Sequence, residues 1–99
     1  MTRNIELEQV GVMLREDFLD DLGLSVPKFA ESIGVTRQEV YKIIKGERKI
    51  SPEMSIRFGV FFGMSSGFWH RLQSDYDLRL AKREQLENFE LSIKPLEVA

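Results

Sequence analysis

Residues 25–49, SVPKFAESIGVTRQEVYKIIKGERK, constrain the fold more than any other stretch, because they predict two short helices joined by a tight turn. Ser25 is a favoured N-cap residue, and Pro27 suits a first helical turn because its missing N–H would have no partner there. Gly34 predicts the end of the first helix, since a residue without Cβ turns the chain easily. This arrangement is typical of a helix-turn-helix motif.

The second helix of this pair has two different faces. It begins at a capping box formed by Thr36 and Glu39, and Gly46 ends it. Its apolar residues are Val40, Ile43 and Ile44, and its polar residues at helical spacing are Gln38, Tyr41, Lys42 and Lys45. The apolar face must be buried, whereas the polar face can donate hydrogen bonds to base edges and phosphates in a major groove. An ordinary amphipathic surface helix is the alternative.

Positive charge collects on the same stretch, although the chain of 99 residues has a net charge of −2. Residues 1–24 contain two basic and six acidic side chains, whereas residues 25–49 contain six basic and three acidic ones. A local basic face binds phosphate even on an acidic protein. The acidic remainder fits a basic partner protein or serves solubility alone, and solubility is the default interpretation.

Three further helices are predicted around this pair, which makes the fold all-α. The first runs from Val10 to Gly23, with an apolar stripe at Met13 or Leu14, Phe18 and Leu22. The next begins at Ser51 and Pro52, has a heavy apolar face, and ends at Gly63. Ser65 or Ser66 then caps a long fifth helix, which we expect to fray near residues 87–88.

The fifth helix has a wide apolar surface, more than one small core requires. We therefore predict that part of it forms a dimer interface, although simple closure of the five-helix bundle explains it equally well. The predicted interface residues are Trp69, Leu72, Tyr76 and Leu80. Residues 1–9 are predicted to be a flexible lead-in, residues 10–83 the domain, and residues 84–99 a tail. The alternating tail from Phe89 to Leu96 predicts a short strand or extended dimer arm.

Residue types needed for catalysis are missing from the sequence. It has no cysteine and one histidine, His70, so a metal site lacks ligands. It has no glycine-rich phosphate loop and no nucleophile with a nearby base. We predict no enzyme activity, no cofactor and no metal. Without a membrane-spanning run or a signal-peptide pattern, we expect a cytoplasmic protein.

The chain also resembles a known family from about Gly11 to Leu78. The most specific run is FWxxLQxxYDL, from Phe68 to Leu78, and further matching residues are Gly23, Ala30, Gly34, Gly46 and Arg57. Together they resemble the HigA-type antitoxins of bacterial toxin–antitoxin operons, which have an Xre-like, lambda-repressor-like helix-turn-helix domain. The family usually has His-Pro before the first matching glycine, and this chain has Gln9 and Val10 there.

The resemblance implies a homodimer that binds operator DNA at its own promoter. It also implies neutralisation of a small, basic, RelE-like mRNA-cleaving toxin, with the complex regulating its own operon. The DNA-binding residues that it implies are Ser25, Lys28, Thr36, Arg37, Gln38, Tyr41, Lys42, Lys45, Arg48 and Lys49. The alternatives are a free-standing repressor without a toxin, and a protein-binding module whose helix-turn-helix does not read DNA.

Overall fold

A computed structural model describes residues 8–97 as five helices, with no strand among these residues. The α-helices are α1 (Val10–Met13), α2 (Val26–Ile33), α3 (Arg37–Ile44), α4 (Pro52–Phe62) and α5 (Phe68–Ser92). The predicted all-α helix-turn-helix fold is therefore confirmed. The predicted lead-in of residues 1–9 lies mostly outside the described residues.

The first helix changes its winding after one turn. From Leu14 to Asp20 it is π-helical, with hydrogen bonds that span five residues instead of four. Leu14 and Leu19, five residues apart, are accordingly both buried. The prediction that Leu22 belongs to the apolar stripe was wrong, since Leu22 is 62% exposed. The wider turn moves the buried face one residue along the chain.

Both helices of the predicted pair begin at their predicted caps, and α2 ends at its predicted glycine, whereas the C-cap of α3 is Lys45, one residue before Gly46. The Ser25 hydroxyl oxygen accepts a hydrogen bond from the Lys28 backbone N–H at 3.2 Å, and Gly34 ends α2 with φ 79°. At the start of α3, Thr36 and Glu39 make both hydrogen bonds of a capping box. These local signals therefore fix the geometry of the turn between the two helices.

An aromatic cluster forms the centre of the core. The Trp69 ring lies 4.8 Å from Phe18 and 5.4 Å from Phe58 between ring centroids, and Phe58 lies 5.3 Å from Phe29. Trp69 has no exposed surface. The prediction that it forms part of a dimer interface was therefore wrong, because its side chain already joins α5 to the first helix and α4.

Arg57 ties α4 to the end of α2. Its guanidinium donates to the Ile33 carbonyl at 2.7 Å, which is one of the carbonyls that a helix end leaves without an intrahelical partner. The same guanidinium pairs with Glu53 at 3.0 Å. This matching residue of the family pattern therefore has a structural role away from the polar face of α3.

Helix α5 differs from the prediction at both ends. Its N-cap is Gly67, which has no side chain to cap the helix, so the prediction of a cap by Ser65 or Ser66 was wrong. The Ser66 carbonyl accepts a hydrogen bond from the Ser55 hydroxyl at 2.6 Å. The helix continues past residues 87–88 to Ser92, and the predicted tail of residues 84–99 begins inside it. The predicted short extended tail is confined, among the described residues, to 93–97.

Candidate nucleic-acid interface

Helix α3 separates its buried and exposed side chains as its sequence predicts. Val40 and Ile43 are buried in the core, which fixes the rotation of the helix about its own axis. The residues that this rotation leaves exposed are Arg37, Gln38, Tyr41, Lys42 and Lys45. The result is one surface with guanidinium, amide, phenol and ammonium donors, which are the groups that contact base edges and phosphates.

A close backbone contact sets the position of α3 against α1. A Cβ atom added at Gly11 would lie 2.0 Å from the Ile43 carbonyl oxygen and 2.8 Å from the Ile44 Cα. Only glycine therefore allows these two helix backbones to approach so closely. The sequence pattern contained this glycine, but its packing partner on α3 became visible only in the structure.

The N-terminal end of α3 is fixed by hydrogen bonds to one carboxylate. Glu39 Oε2 accepts from the Thr36 backbone N–H at 3.0 Å and from the Thr36 hydroxyl at 3.1 Å. These bonds, helped by the nearby Arg48 guanidinium, lower the pKa of Glu39 below its ordinary value of 4.5. The Thr36 hydroxyl hydrogen is thus already used in a hydrogen bond within the chain.

Helix α2 contributes its first turn to the same surface. Ser25, Lys28 and Arg37 line one shallow depression between the beginnings of α2 and α3. The Ser25 hydroxyl oxygen accepts a backbone hydrogen bond, which leaves its hydrogen free to donate to a phosphate oxygen. The fold therefore brings the predicted residues of both helices together.

The two predicted cations after α3 each face a carboxylate. Arg48 lies 3.6 Å from Glu39 and Lys49 lies 3.3 Å from Asp77, measured between charged nitrogen and oxygen atoms. Both pairs are largely exposed to solvent, so each contributes little to stability. The pairing of Lys49 with Asp77 could not be predicted from the sequence, because the two residues are far apart along the chain.

The other predicted dimer residues lie between core and surface. Leu72 and Tyr76 are half-buried and pack against the core cluster. Leu80 is half-buried in a groove whose lining also includes Lys49 and Asp77. Their contact with a second chain stays a prediction.

Residues 8–97 contain no group of three or more histidine, cysteine or acidic side chains that could hold a metal ion. Among the helices of this region, none is both long and apolar enough to cross a membrane.

A match to a known family model shows which family this chain belongs to. The HTH_3 model, described as helix-turn-helix, matches residues 14–69, from the π-helical segment to the start of α5. The chain belongs to this family. HTH_3 is a family of DNA-binding proteins rather than of enzymes. The match covers more than half of the chain and includes both helices of the motif.

Solved structures of the same fold include antitoxins and DNA complexes. PA4674 of Pseudomonas aeruginosa, solved with 18 bp of its operator DNA, is 33% identical with a TM-score of 0.87, over 94% of this chain and 100% of that one. Antitoxin HigA of P. aeruginosa, solved with the higBA promoter, is 34% identical with a TM-score of 0.86, over 93% and 100%. Antitoxin HigA-1 of Vibrio cholerae is 31% identical over 91% of this chain and 84% of that protein. The resemblance to HigA-type antitoxins is confirmed.

Proposed function

We propose that this chain is an antitoxin that binds operator DNA as a homodimer and represses its own operon. The observation that supports this most directly is the exposed polar surface of α3, whose rotation is fixed by the burial of Val40 and Ile43. Similar structures were solved with operator or promoter DNA. The same fold favours the same use of α3 in this chain.

In the proposed complex, α3 enters the major groove and the flanking cations contact phosphates. A homodimer would place two copies of α3 in successive major grooves, about 34 Å apart. Arg37 and Gln38, in the first turn of α3, are the proposed base-reading residues, because residues near the start of a recognition helix contact base edges. Lys45, at the other end, is proposed to contact phosphate, as are Arg48 and Lys49.

Two substitutions test the assignment of these roles. Fluorescence anisotropy with the chain's own promoter DNA, across a salt series, measures affinity and salt dependence separately. Gln38→Ala should reduce discrimination between promoter and scrambled DNA, because a base contact is worth about 1–3 kcal/mol. Lys45→Ala should weaken binding to both duplexes alike and reduce the salt slope by about one. Wild-type behaviour of both variants would show that the DNA-binding surface is misassigned.

Self-association is proposed to involve the distal half of α5. Its exposed apolar residues include Leu86, Phe89 and Leu91, and the extended tail adds Ile93 and Leu96. Leu86 and Phe89, three residues apart, lie on one side of the helix, and water-exposed apolar side chains favour burial against a partner. The neutralised partner is proposed to be a RelE-like toxin, for which the acidic N-terminal residues provide opposite charge.

Toxin neutralisation has its own test. If a short basic reading frame lies next to this gene, co-expression with it should yield a co-purifying complex and should relieve growth arrest caused by that reading frame. Absence of such a reading frame would favour the free-standing repressor. Loss of DNA binding with retained toxin binding would instead favour the protein-binding module. Co-expression and the anisotropy measurements together separate the three alternatives.

A further inference from the structure

Two side chains of α5 hold the loop that follows α3. Gln73 Oε1 accepts a hydrogen bond from the Ile50 backbone N–H at 3.0 Å. The amide nitrogen of Gln73 donates to Asp77 Oδ1 at 3.1 Å, and Asp77 Oδ2 pairs with Lys49 at 3.3 Å. A continuous chain of polar contacts therefore runs from α5 to two consecutive residues of the loop.

The beginning of this loop lies next to the Gln9 side chain. Gly46, where the loop leaves α3, has φ 80°, and a Cβ atom added there would meet the Gln9 side chain at 1.9 Å. Gln9, Gln73 and Asp77 line the same groove beside the loop, together with Gly46 and Lys49. Ile50, at its end, is buried in the core.

We propose that Gln73 and Asp77 are positioning residues for DNA binding, which hold the loop so that Lys49 faces the phosphate backbone. This proposal rests on the proposed function. Loop cations that are free to move lose conformational freedom when they bind, and a loop held in place before binding loses less. Gln73 and Asp77 belong to the most specific run of the family pattern, and neither lies on the polar surface of α3.

The pairing with Asp77 is compatible with a phosphate contact. The Lys49 side chain is 73% exposed, and an ammonium group has three donors, of which Asp77 occupies one. The remaining donors can reach a phosphate oxygen while Asp77 fixes the side chain from behind. Asp77 is therefore proposed to orient Lys49 rather than to withdraw it from DNA.

A purely structural role for Gln73 is the competing explanation, and Ser55 provides a matched control. The Ser55 hydroxyl also makes two bonds that tie α5 in place, to the Ser66 carbonyl at 2.6 Å and from the His70 N–H at 3.0 Å. It lies outside the loop and outside the α2–α3 surface. Ser55→Ala should therefore lower the melting temperature without changing how DNA binding depends on salt.

The test compares Gln73→Ala, Gln73→Met and Ser55→Ala in the full chain. Gln73→Met keeps the side-chain length and removes both hydrogen bonds without a change of charge, so it reports on DNA binding even if the alanine variant folds poorly. Fluorescence anisotropy with promoter and scrambled duplexes should show both Gln73 variants binding about threefold to tenfold more weakly to each. Their salt slope should fall by about one, as expected for one lost phosphate contact.

A double-mutant cycle with Lys49→Ala identifies the route of the effect. If Gln73 acts through Lys49, Gln73→Met should weaken binding much less in the Lys49→Ala background than in the wild type. Additive effects, or a folded Gln73→Met variant with the wild-type salt slope, would overturn the positioning role and leave the proposed function intact. A wild-type chain that fails to bind its promoter would overturn the proposed function itself.

Discussion

Replacing Gly11 with alanine should destabilise the protein, although alanine is the better helix former. Gly11 lies within α1, where alanine is favoured over glycine by about 1 kcal/mol. Against this gain, the added Cβ would stand 2.0 Å from the Ile43 carbonyl oxygen. The sign of the change in stability depends on which effect is larger.

The clash should be the larger effect, because the atoms in the way belong to the backbone. Relief to an ordinary contact of roughly 3.4 Å requires α1 and α3 to separate by about 1 Å or more, since rotating a side chain cannot help. Overpacking of this kind costs about 1–3 kcal/mol. If the clash costs about 3 kcal/mol and the helix preference of alanine recovers about 1 kcal/mol, the net loss of stability is about 2 kcal/mol. For a domain of this size the melting temperature should fall by roughly 8–16 °C.

Thermal unfolding followed by circular dichroism measures this loss, and promoter binding at a temperature where the variant is folded measures the displacement of α3. Gly59→Ala is the control, because its Cβ would meet the backbone of Ser65 at 2.8 Å, away from α3. Both variants should unfold earlier, but only Gly11→Ala should bind DNA more weakly. A higher melting temperature for Gly11→Ala would refute the reasoning, since helix preference would then have prevailed.

Three further perturbations have expected outcomes. Hydrogen bonds from Thr36 lower the pKa of Glu39, so the ionised Glu39 side chain stabilises the fold above its ordinary pKa of 4.5, and this stabilisation is lost as the pH falls through the lowered pKa. Glu39→Gln should therefore reduce the loss of folding stability toward acid pH, measured by denaturant titrations at successive pH values. Trp69→Ala should cost about 3–5 kcal/mol in equilibrium unfolding, and Trp69→Phe much less, because the indole N–H has no hydrogen-bond partner among the described residues. Phe89→Asp should weaken self-association in sedimentation velocity, whereas Glu90→Asp should leave it unchanged, and equal association of both variants would place the interface elsewhere.

The sequence predicted best those features that depend on local chemistry. The capping residues Ser25, Thr36 and Ser51 stand where the structure has N-caps, and their hydroxyl oxygens accept the expected backbone hydrogen bonds. A cap is a contact over three residues, so a sequence pattern contains all of its parts. The buried and exposed faces of α3 were predicted equally well, because helical spacing alone places Val40 and Lys42 on different faces.

The errors concern features that depend on distant packing. Leu22 was assigned to the buried stripe because a regular helix repeats after about four residues, whereas the π-helical turn inserts a longer repeat after Leu14. Trp69 was assigned to a dimer interface because periodicity does not distinguish a core residue from an interface residue. Its contacts with Phe18 and Phe58 come from separate helices, which a single sequence does not place together.

Of the candidate site, the exposed residues of α3 could be predicted, and the interactions that hold them in place could not. The contact of Gly11 with Ile43, the pairing of Asp77 with Lys49 and the bond from Ile50 to Gln73 all join residues more than twenty positions apart. Gly11, Gln73 and Asp77 belong to the family pattern, but that pattern does not identify the residues that they contact. The DNA contacts themselves stay a prediction.

The length of α5 beyond the core provides a direct reporter of assembly. Residues 81–92 remain helical although each of them is exposed to solvent, and isolated helices of about 12–15 residues are only marginally stable in water. In a dilute single chain, the backbone amides of this segment should therefore exchange their hydrogens for deuterium within seconds, as those of a fraying peptide do. Coverage by a second molecule would slow that exchange without altering the core, so deuterium uptake along one helix would reveal when the protein is alone and when it is bound.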